Sequence, residues 1–211
     1  MAVAALDLMK SRRSVRRFKP DLPGRGLIEK LIEAAVTAPS ASNKQPWRFL
    51  VVTSRPAVSR MADAVREAVE RVSKHVEAGW RDAFRDYGDY FTRFESAPVV
   101  IVPLYRGLEL LSNMTGPSLP QADRRRIVAL EAGSGLVSVS LAIQNLLLMA
   151  HSLGLGASAM TGPLIALDKV RAILEVPGSW DVAAVIPVGF PAEEPPPISR
   201  KSAEQVTRWI E

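Results

Sequence analysis

Five of the ten residues from Ser11 to Pro20, SRRSVRRFKP, are cationic, and a serine stands among them. Arginine offers a planar fork of donors that holds phosphate bidentately, and Ser14 adds a hydroxyl and a backbone N–H. If the segment is extended, the alternate residues Arg12, Ser14 and Arg16 point the same way. The pattern favours a compact anion such as phosphate. A solvated basic patch is the bland alternative. Nucleic acid is the weaker reading, because Phe18 is the one aromatic nearby and single-strand binding interleaves stacking rings with its cations.

Three further stretches carry polar or cationic groups in useful places. APSASNKQPW, Ala38 to Trp47, sets small hydroxyl and amide side chains between two prolines, just before an apolar run. Ser40, Ser42, Asn43 and Gln45 could meet the edge of a polar heterocycle there, although an ordinary helix-to-strand connection has the same composition. GLGASAMTGPL, Gly154 to Leu164, is small enough for a flat ligand to approach the backbone. Arg200 and Lys201 follow a proline-rich arm.

Many other chemistries are missing from the sequence. With no cysteine, disulfides, thiolate catalysis and Cys-ligated zinc are excluded. There is no G-x-S-x-G elbow, no Walker A loop and no G-x-G-x-x-G after a strand. The only histidines, His75 and His151, read as helix-surface or packing residues, and no metal site is expected. Glu193 and Glu194 sit among prolines and read as solvated. An enzyme without such groups needs a cofactor that brings its own reactivity.

The elements that must position these stretches follow from composition and periodicity. The chain has 211 residues, 47% hydrophobic, with sixteen prolines, thirteen glycines, net charge +5 and a pI of about 9.8. It can bury a sizeable core, and its mild basicity favours anionic ligands. No linker or internal repeat divides residues 1–211, so a single domain is expected, with 192–211 as a C-terminal arm. Helices are expected at residues 3–10, 26–37, 57–77, 128–152 and 167–174, and strands at 48–54, 97–104 and 183–191. WRDAFRDYGDYFTRF, Trp80 to Phe94, alternates aromatic and charged residues and reads as a helix or a partly ordered flap. Residues 106–126 read as a polar, punctuated connection. Between Leu136 and Ala150 the chain is apolar almost all round, yet Gln144 and Asn145 interrupt it and it falls short of the roughly 18 residues of a membrane span. A helix of that kind wants cover on every side, from the sheet and from a second subunit. The first residues run from apolar to charged, the reverse of a secretory signal, and a cytoplasmic location is expected.

Taken together, these residues resemble the FMN-dependent nitroreductase family. The likeness rests on RRSVR near the N-terminus, APSASNKQPW leading into RFLVV, AIQNLLLMAHSLGLG from Ala142 to Gly156, and a strand ending VGFP followed by an Arg. It covers residues 6 to 201, with a poor match over 78–126. The resemblance implies an α+β fold, a mostly antiparallel sheet wrapped by helices, in an intertwined homodimer with two FMN sites at the interface and the C-terminal arm crossing to the partner. It implies that Arg12, Arg13, Ser14 and Arg16 hold the phosphate and ribityl end, with Arg200 and Lys201 closing on it. Pro39, Ser40, Ala41, Ser42, Asn43 and Gln45 would come from the other subunit. Met160, Thr161 and Gly162 would lie against the ring system near N5. It further implies NAD(P)H as co-substrate, a small oxidant such as a nitroaromatic or quinone, and ping-pong turnover with no obligatory acid–base side chain. Tyr87 and Phe91 are the candidates for sorting substrates. The same fold hosts relatives that dehalogenate an aromatic amino acid or cleave reduced flavin, and a non-catalytic flavin binder is a further alternative.

Overall fold

Val99–Tyr105 (β2) is apolar along its whole length, and both of its faces are covered. The computed structural model describes residues 2–211, with burial described from Ala4 onward. In chain order the other elements are α1 Ala2–Ser11, α2 Arg25–Val36, β1 Trp47–Val52, α3 Arg55–Ser73, α4 Arg81–Asp89, α5 Leu110–Met114, α6 Gln121–Ser152, β3 Gly156–Ala157, α7 Leu167–Ile173, β4 Asp181–Val182, β5 Ile186–Gly189 and α8 Ala203–Val206. The sheet runs β1-β2-β5-β3, with β4 also on β2, and every ladder is antiparallel.

The period of two along β2 sorts the core into two layers. Val99 and Ile101 pack with α2 and α6, through Leu31, Ile143 and Leu146. Val100, Val102 and Leu104 pack with α3 and α7, through Met61, Val65 and Val170. Helix α3 starts where Ser54 caps it, accepting from the Ala57 N–H at 3.4 Å, with Pro56 in the first turn. Arg55 ties that start to the approach to β2, donating to the carbonyls of Ala97 and Glu95 at 2.7 Å each.

Some expected boundaries move. Helix α6 begins at Gln121, inside the stretch read as a connection. Its first turns are polar and exposed, so they carry no apolar stripe to mark them. Nor is α6 covered on every side within the chain. Val139, Ala142, Ile143 and Leu146 are buried, while Leu130 and Val137 are 59% and 62% exposed, with Leu136 and Leu141 beside them. It is also long and apolar enough, by length and composition, to cross a membrane, but its buried face belongs to the core. The strand expected over 183–191 shortens to β5, and the two-residue β4 precedes the expected span; between them Ala183 donates to Pro103 and Val185 bridges Met160. Trp80 to Phe94 is ordered: α4 is flanked by 3-10 turns at Ala78–Trp80 and Tyr90–Ser96.

The chain from Tyr105 to Met114 is strapped to α6 by close contacts. A Cβ on Gly135 would collide with the Arg106 carbonyl. Glu131, 4% exposed, accepts from the Leu111 and Ser112 N–H groups and from the Ser112 hydroxyl. That hydroxyl, reinforced by the N–H donors and opposed by burial, holds the Glu131 carboxyl below its usual range. A depressed folded-state pKa means that the strap's stabilisation is complete above the unfolded carboxylate pKa and lost as pH falls through the folded one. Glu131→Gln is expected to lower the hydrogen-exchange protection factors of Leu111 and Ser112 near neutral pH, and acidification of the wild type is expected to lower them too, once the intrinsic slowing of exchange in acid is divided out. Unchanged protection would contradict this anchoring.

Candidate functional site

Helix α1 delivers the cations. At its C-terminal end the Arg12 N–H donates to Leu8 at 3.2 Å, and the Arg13 guanidinium folds back onto the carbonyls of Lys10 and Arg12 at 2.6 and 3.0 Å. Helix ends favour positive charge there. The chain then enters the sheet. Ser14 bridges Ala157 in parallel, the Val15 N–H reaches Ala157 at 3.3 Å, and Phe18 bridges Pro191. Val15 and Phe18 bury their side chains. Their spacing of three breaks the strict alternation expected of an extended segment.

As a result Arg12, Arg13 and Ser14 line one cavity of about 350 Å³ with Lys10 and Arg200, and no carboxylate lines it. Burial holds the Arg12 guanidinium below its ordinary pKa, and repulsion from Arg200 and Arg13 adds to this. Such a site is electrostatically complementary to an anion. Arg16 departs from the expected pattern. It opens with Arg17, Arg55 and Arg93 onto a second cavity of about 450 Å³, although its guanidinium still reaches the Ser14 carbonyl at 3.4 Å. Lys201 is exposed and does not line the Arg200 cavity.

The loop at Ala38–Trp47 holds an unusual backbone. Ser42, Asn43 and Gln45 have φ of 50°, 50° and 47°, the left-handed region that costs non-glycine residues about 1–2 kcal/mol each. Local hydrogen bonds impose it: the Gln45 N–H donates to Ser40 Oγ at 3.0 Å, and the Lys44 N–H to Ala41 at 3.0 Å. Helix α6 anchors the loop, since the Ala41 N–H donates to Ser138 Oγ at 3.3 Å. Strain held in place by tertiary contacts marks a segment shaped for a task. Pro39, Ser40 and Ala41 face a cavity of about 480 Å³ floored by Leu130, Val137 and Leu141 of α6. Within one chain these residues and the Arg12 cluster line separate cavities.

Met160 is buried and bridges Val185, with N–H to carbonyl distances of 3.0 and 2.9 Å in the two directions. Thr161 is exposed, and among the described residues its N–H has no hydrogen-bond partner. The nearby Ser158 hydroxyl is buried and unpartnered. Gly162 lets the Phe91 ring sit directly on its backbone, where a Cβ would collide with the ring. Phe91 in turn meets Tyr87 edge to face at 5.1 Å, and Tyr87 is 63% exposed. Trp80 and Tyr90 are exposed as well, whereas Phe94 is fully buried. The packed-aromatic reading therefore holds for only part of this segment.

The Nitroreductase family model matches residues 9–190. The chain belongs to the Nitroreductase family. It is 35% identical over 214 residues to an NADH dehydrogenase of Thermus thermophilus, covering 94% of this chain and 92% of that protein. Among solved structures it resembles a BluB-like flavoprotein of Clostridium difficile 630, with a TM-score of 0.85, 25% identity, and 98% and 99% of the two chains covered. It also shares its fold with an oxidised iodotyrosine deiodinase bound to FMN and 3-iodo-L-tyrosine, with a TM-score of 0.73, 23% identity, and 98% of each chain covered. The α+β, nitroreductase-like fold is thereby shown.

Two groups escaped the sequence reading. Glu193, expected to be solvated, accepts the Arg16 N–H at 2.9 Å and lies 3.9 Å from Arg17. Its alternation with prolines hid that role. Lys10 joins the Arg12 cavity from the last turn of α1, where a cation at a helix C-terminus was a usable signal. The Phe91 contact yields a stability prediction: Gly162→Ala is expected to destabilise by about 1–3 kcal/mol through overpacking. Phe91→Ala should remove that added penalty in the double variant, a coupling that thermal or urea unfolding of the four proteins measures. Additive effects would show that the ring yields freely.

Proposed function

We propose that this Nitroreductase-family protein is an FMN-dependent oxidoreductase that takes hydride from NADH or NADPH and passes it to a small acceptor such as a nitroaromatic or quinone. The observation that carries the reading is the convergence of Lys10, Arg12, Arg13 and Arg200 on one cavity without a carboxylate. The FMN phosphate is the anion that chemistry suits, and the half-buried Arg12 and Arg13, crowded with the exposed Arg200, gain most from a dianion. The likeness to a flavoprotein and to an FMN-bound deiodinase supports the same cofactor.

When bound, FMN would supply hydride transfer at its N5 atom. The chain's own groups bind, orient and shield. Arg12, Arg13 and Ser14 hold the phosphate and the ribityl end, with Arg200 closing and Lys201 adding charge. Arg16, which opens onto the second cavity with Arg17, Arg55 and Arg93, stands outside that set in the single chain. The free Thr161 N–H is a donor for the ring edge, flanked by Met160 and Gly162. Pro39, Ser40, Ala41, Ser42, Asn43 and Gln45 complete the site from a second copy, because in one chain Pro39, Ser40 and Ala41 face the exposed apolar side of α6 instead. That side, and an arm whose Trp209 and Ile210 stand in solvent, call for an intertwined homodimer in which residues 192–211 reach across. Tyr87 and Phe91 sort acceptors at the open edge. Donor and acceptor would occupy the same site in turn, which would give ping-pong kinetics.

Titration of apoprotein with FMN and with riboflavin tests the phosphate reading. Arg12→Ala removes a charge-assisted hydrogen bond of about 1.5–3 kcal/mol, so FMN affinity should fall roughly 10- to 150-fold. Riboflavin affinity should hardly change. Equal losses for both ligands, or none for either, would contradict it. Light scattering at micromolar concentration should give twice 23.0 kDa, and a 23.0 kDa species retaining FMN would overturn the dimer. Anaerobic bleaching by NADH or NADPH separates a reductase from a passive binder. Dehalogenation of a halotyrosine without turnover of nitroaromatics or quinones would replace the reductase reading with the alternative chemistry.

A further inference from the structure

Beside the cation cavity stands a histidine that the proposed function leaves idle. His151, in the last turn of α6, has its Nε2 2.9 Å from Ser11 Oγ at the end of α1. The Ser11 hydroxyl also lies 3.2 Å from the Leu8 carbonyl. With the hydroxyl proton given to Leu8, the serine oxygen accepts from the imidazole N–H, an arrangement open to neutral and cationic histidine alike. Ser11 directly precedes Arg12, Arg13 and Ser14. Arg13 lines the phosphate cavity on one side and, on the other, a cavity of about 530 Å³ that it shares with His151, Lys19, Glu193 and Glu194. His151 is thus the buttress of the helix end from which the cations project.

We propose that His151 is a positioning residue of the phosphate site: through Ser11 it fixes the end of α1, and its imidazole takes up a proton when a phosphate monoester binds. The proposal rests on the phosphate reading of the Arg12 cavity. Its electrostatics are direct. The charged groups around the imidazole are Arg12 and Arg13 after α1, Lys19 beyond the Ser14 bridge, and Glu193 and Glu194 on the arm, Glu193 being engaged by the Arg16 N–H. Burial, then Arg12 and then Arg13, hold the imidazole below its ordinary pKa. A phosphate dianion on those arginines offsets their field, so the bound state favours the imidazolium. By linkage, protonated His151 then strengthens phosphate binding, and the gain appears as pH falls through the imidazole's range. The second ionisation of the phosphate, near pH 6, acts with the opposite sign, and a variant without the imidazole isolates the two.

Apoprotein of wild type, His151→Gln, Ser11→Ala and Arg12→Ala is titrated with FMN and with riboflavin across the imidazole's range. The ratio of FMN Kd, His151→Gln over wild type, is expected to rise severalfold toward acid, up to about tenfold if phosphate raises the imidazole pKa by one unit. The riboflavin ratio stays flat. Ser11→Ala, an exposed position, weakens FMN binding severalfold at every pH and spares riboflavin. A measurement on wild type alone guards against a variant that does not fold. The chain has two histidines, so their proton resonances are separable, and the His151 titration should move to higher pH with FMN and stay put with riboflavin. An unmoved His151 titration, or a flat Kd ratio, overturns the role of His151 while Arg12→Ala still discriminates FMN from riboflavin. If Arg12→Ala does not discriminate them, the phosphate reading itself fails and this inference falls with it.

Discussion

Covering both faces of β2 fixes most of what surrounds the site. A strand with no solvent face must satisfy every N–H and carbonyl within the sheet, and β2 does so with β1 on one edge and β5 and β4 on the other. Its two side-chain rows then demand two helical layers, α2 with α6 and α3 with α7. Once those layers are in place, the free edge of β5 is closed by the two residues of β3, and Ala157 of β3 receives Ser14. The cationic segment is therefore seated against the far side of the sheet by backbone bonds, not by its charges. That order of causes matters, because the charges alone would drive Arg12, Arg13 and Arg200 apart.

Around the candidate site, conformational cost is met in two places, and each is held by neighbouring segments. At Ser42, Asn43 and Gln45 the backbone is left-handed, and Ser138 of α6 and Ser40 within the loop hold it. At Arg12, like charges are brought together and partly desolvated, held by α1 and the Ser14–Ala157 bridge. Neither arrangement improves the folded chain by itself. Both make sense as preorganisation, in which the ligand meets donors already aimed and the cost was met during folding.

Legibility in the sequence followed the strength of periodic signals. β2, α2 and α3 stood out because each has a clear apolar row and a clear terminator. The start of α6 did not, since residues 121–127 are polar and the helix there is held by few buried contacts. The short β3, β4 and β5 could not be bounded, because each is defined by a partner remote in sequence, β2 for β4 and β5 and β5 for β3. In the cationic segment, residue type was informative and direction was not. Arg12 and Ser14 share a cavity, but Arg16 opens onto another because Val15 and Phe18 bury themselves three residues apart. The His151–Ser11 pair joins residues 140 positions apart, and no local pattern announces such a contact.

Helix α6 connects these observations. Ser138 anchors the strained loop, and His151, thirteen residues further on, abuts the cation segment. At 1.5 Å per residue that is about 20 Å along one helix. The two groups of candidate residues in a chain are thus held at fixed, separate positions by the same rigid rod, and no small flexing of the chain merges them. A two-fold partner lying on the exposed row of Leu130, Val137 and Leu141 would bring the loop of one copy toward the cations of the other, twice over, because a two-fold interface repeats each contact in reverse. In such a dimer the apolar face of α6 and the split of the candidate residues between two cavities would have one physical origin: one side of the helix builds the core, and the other would join the halves of the proposed flavin site.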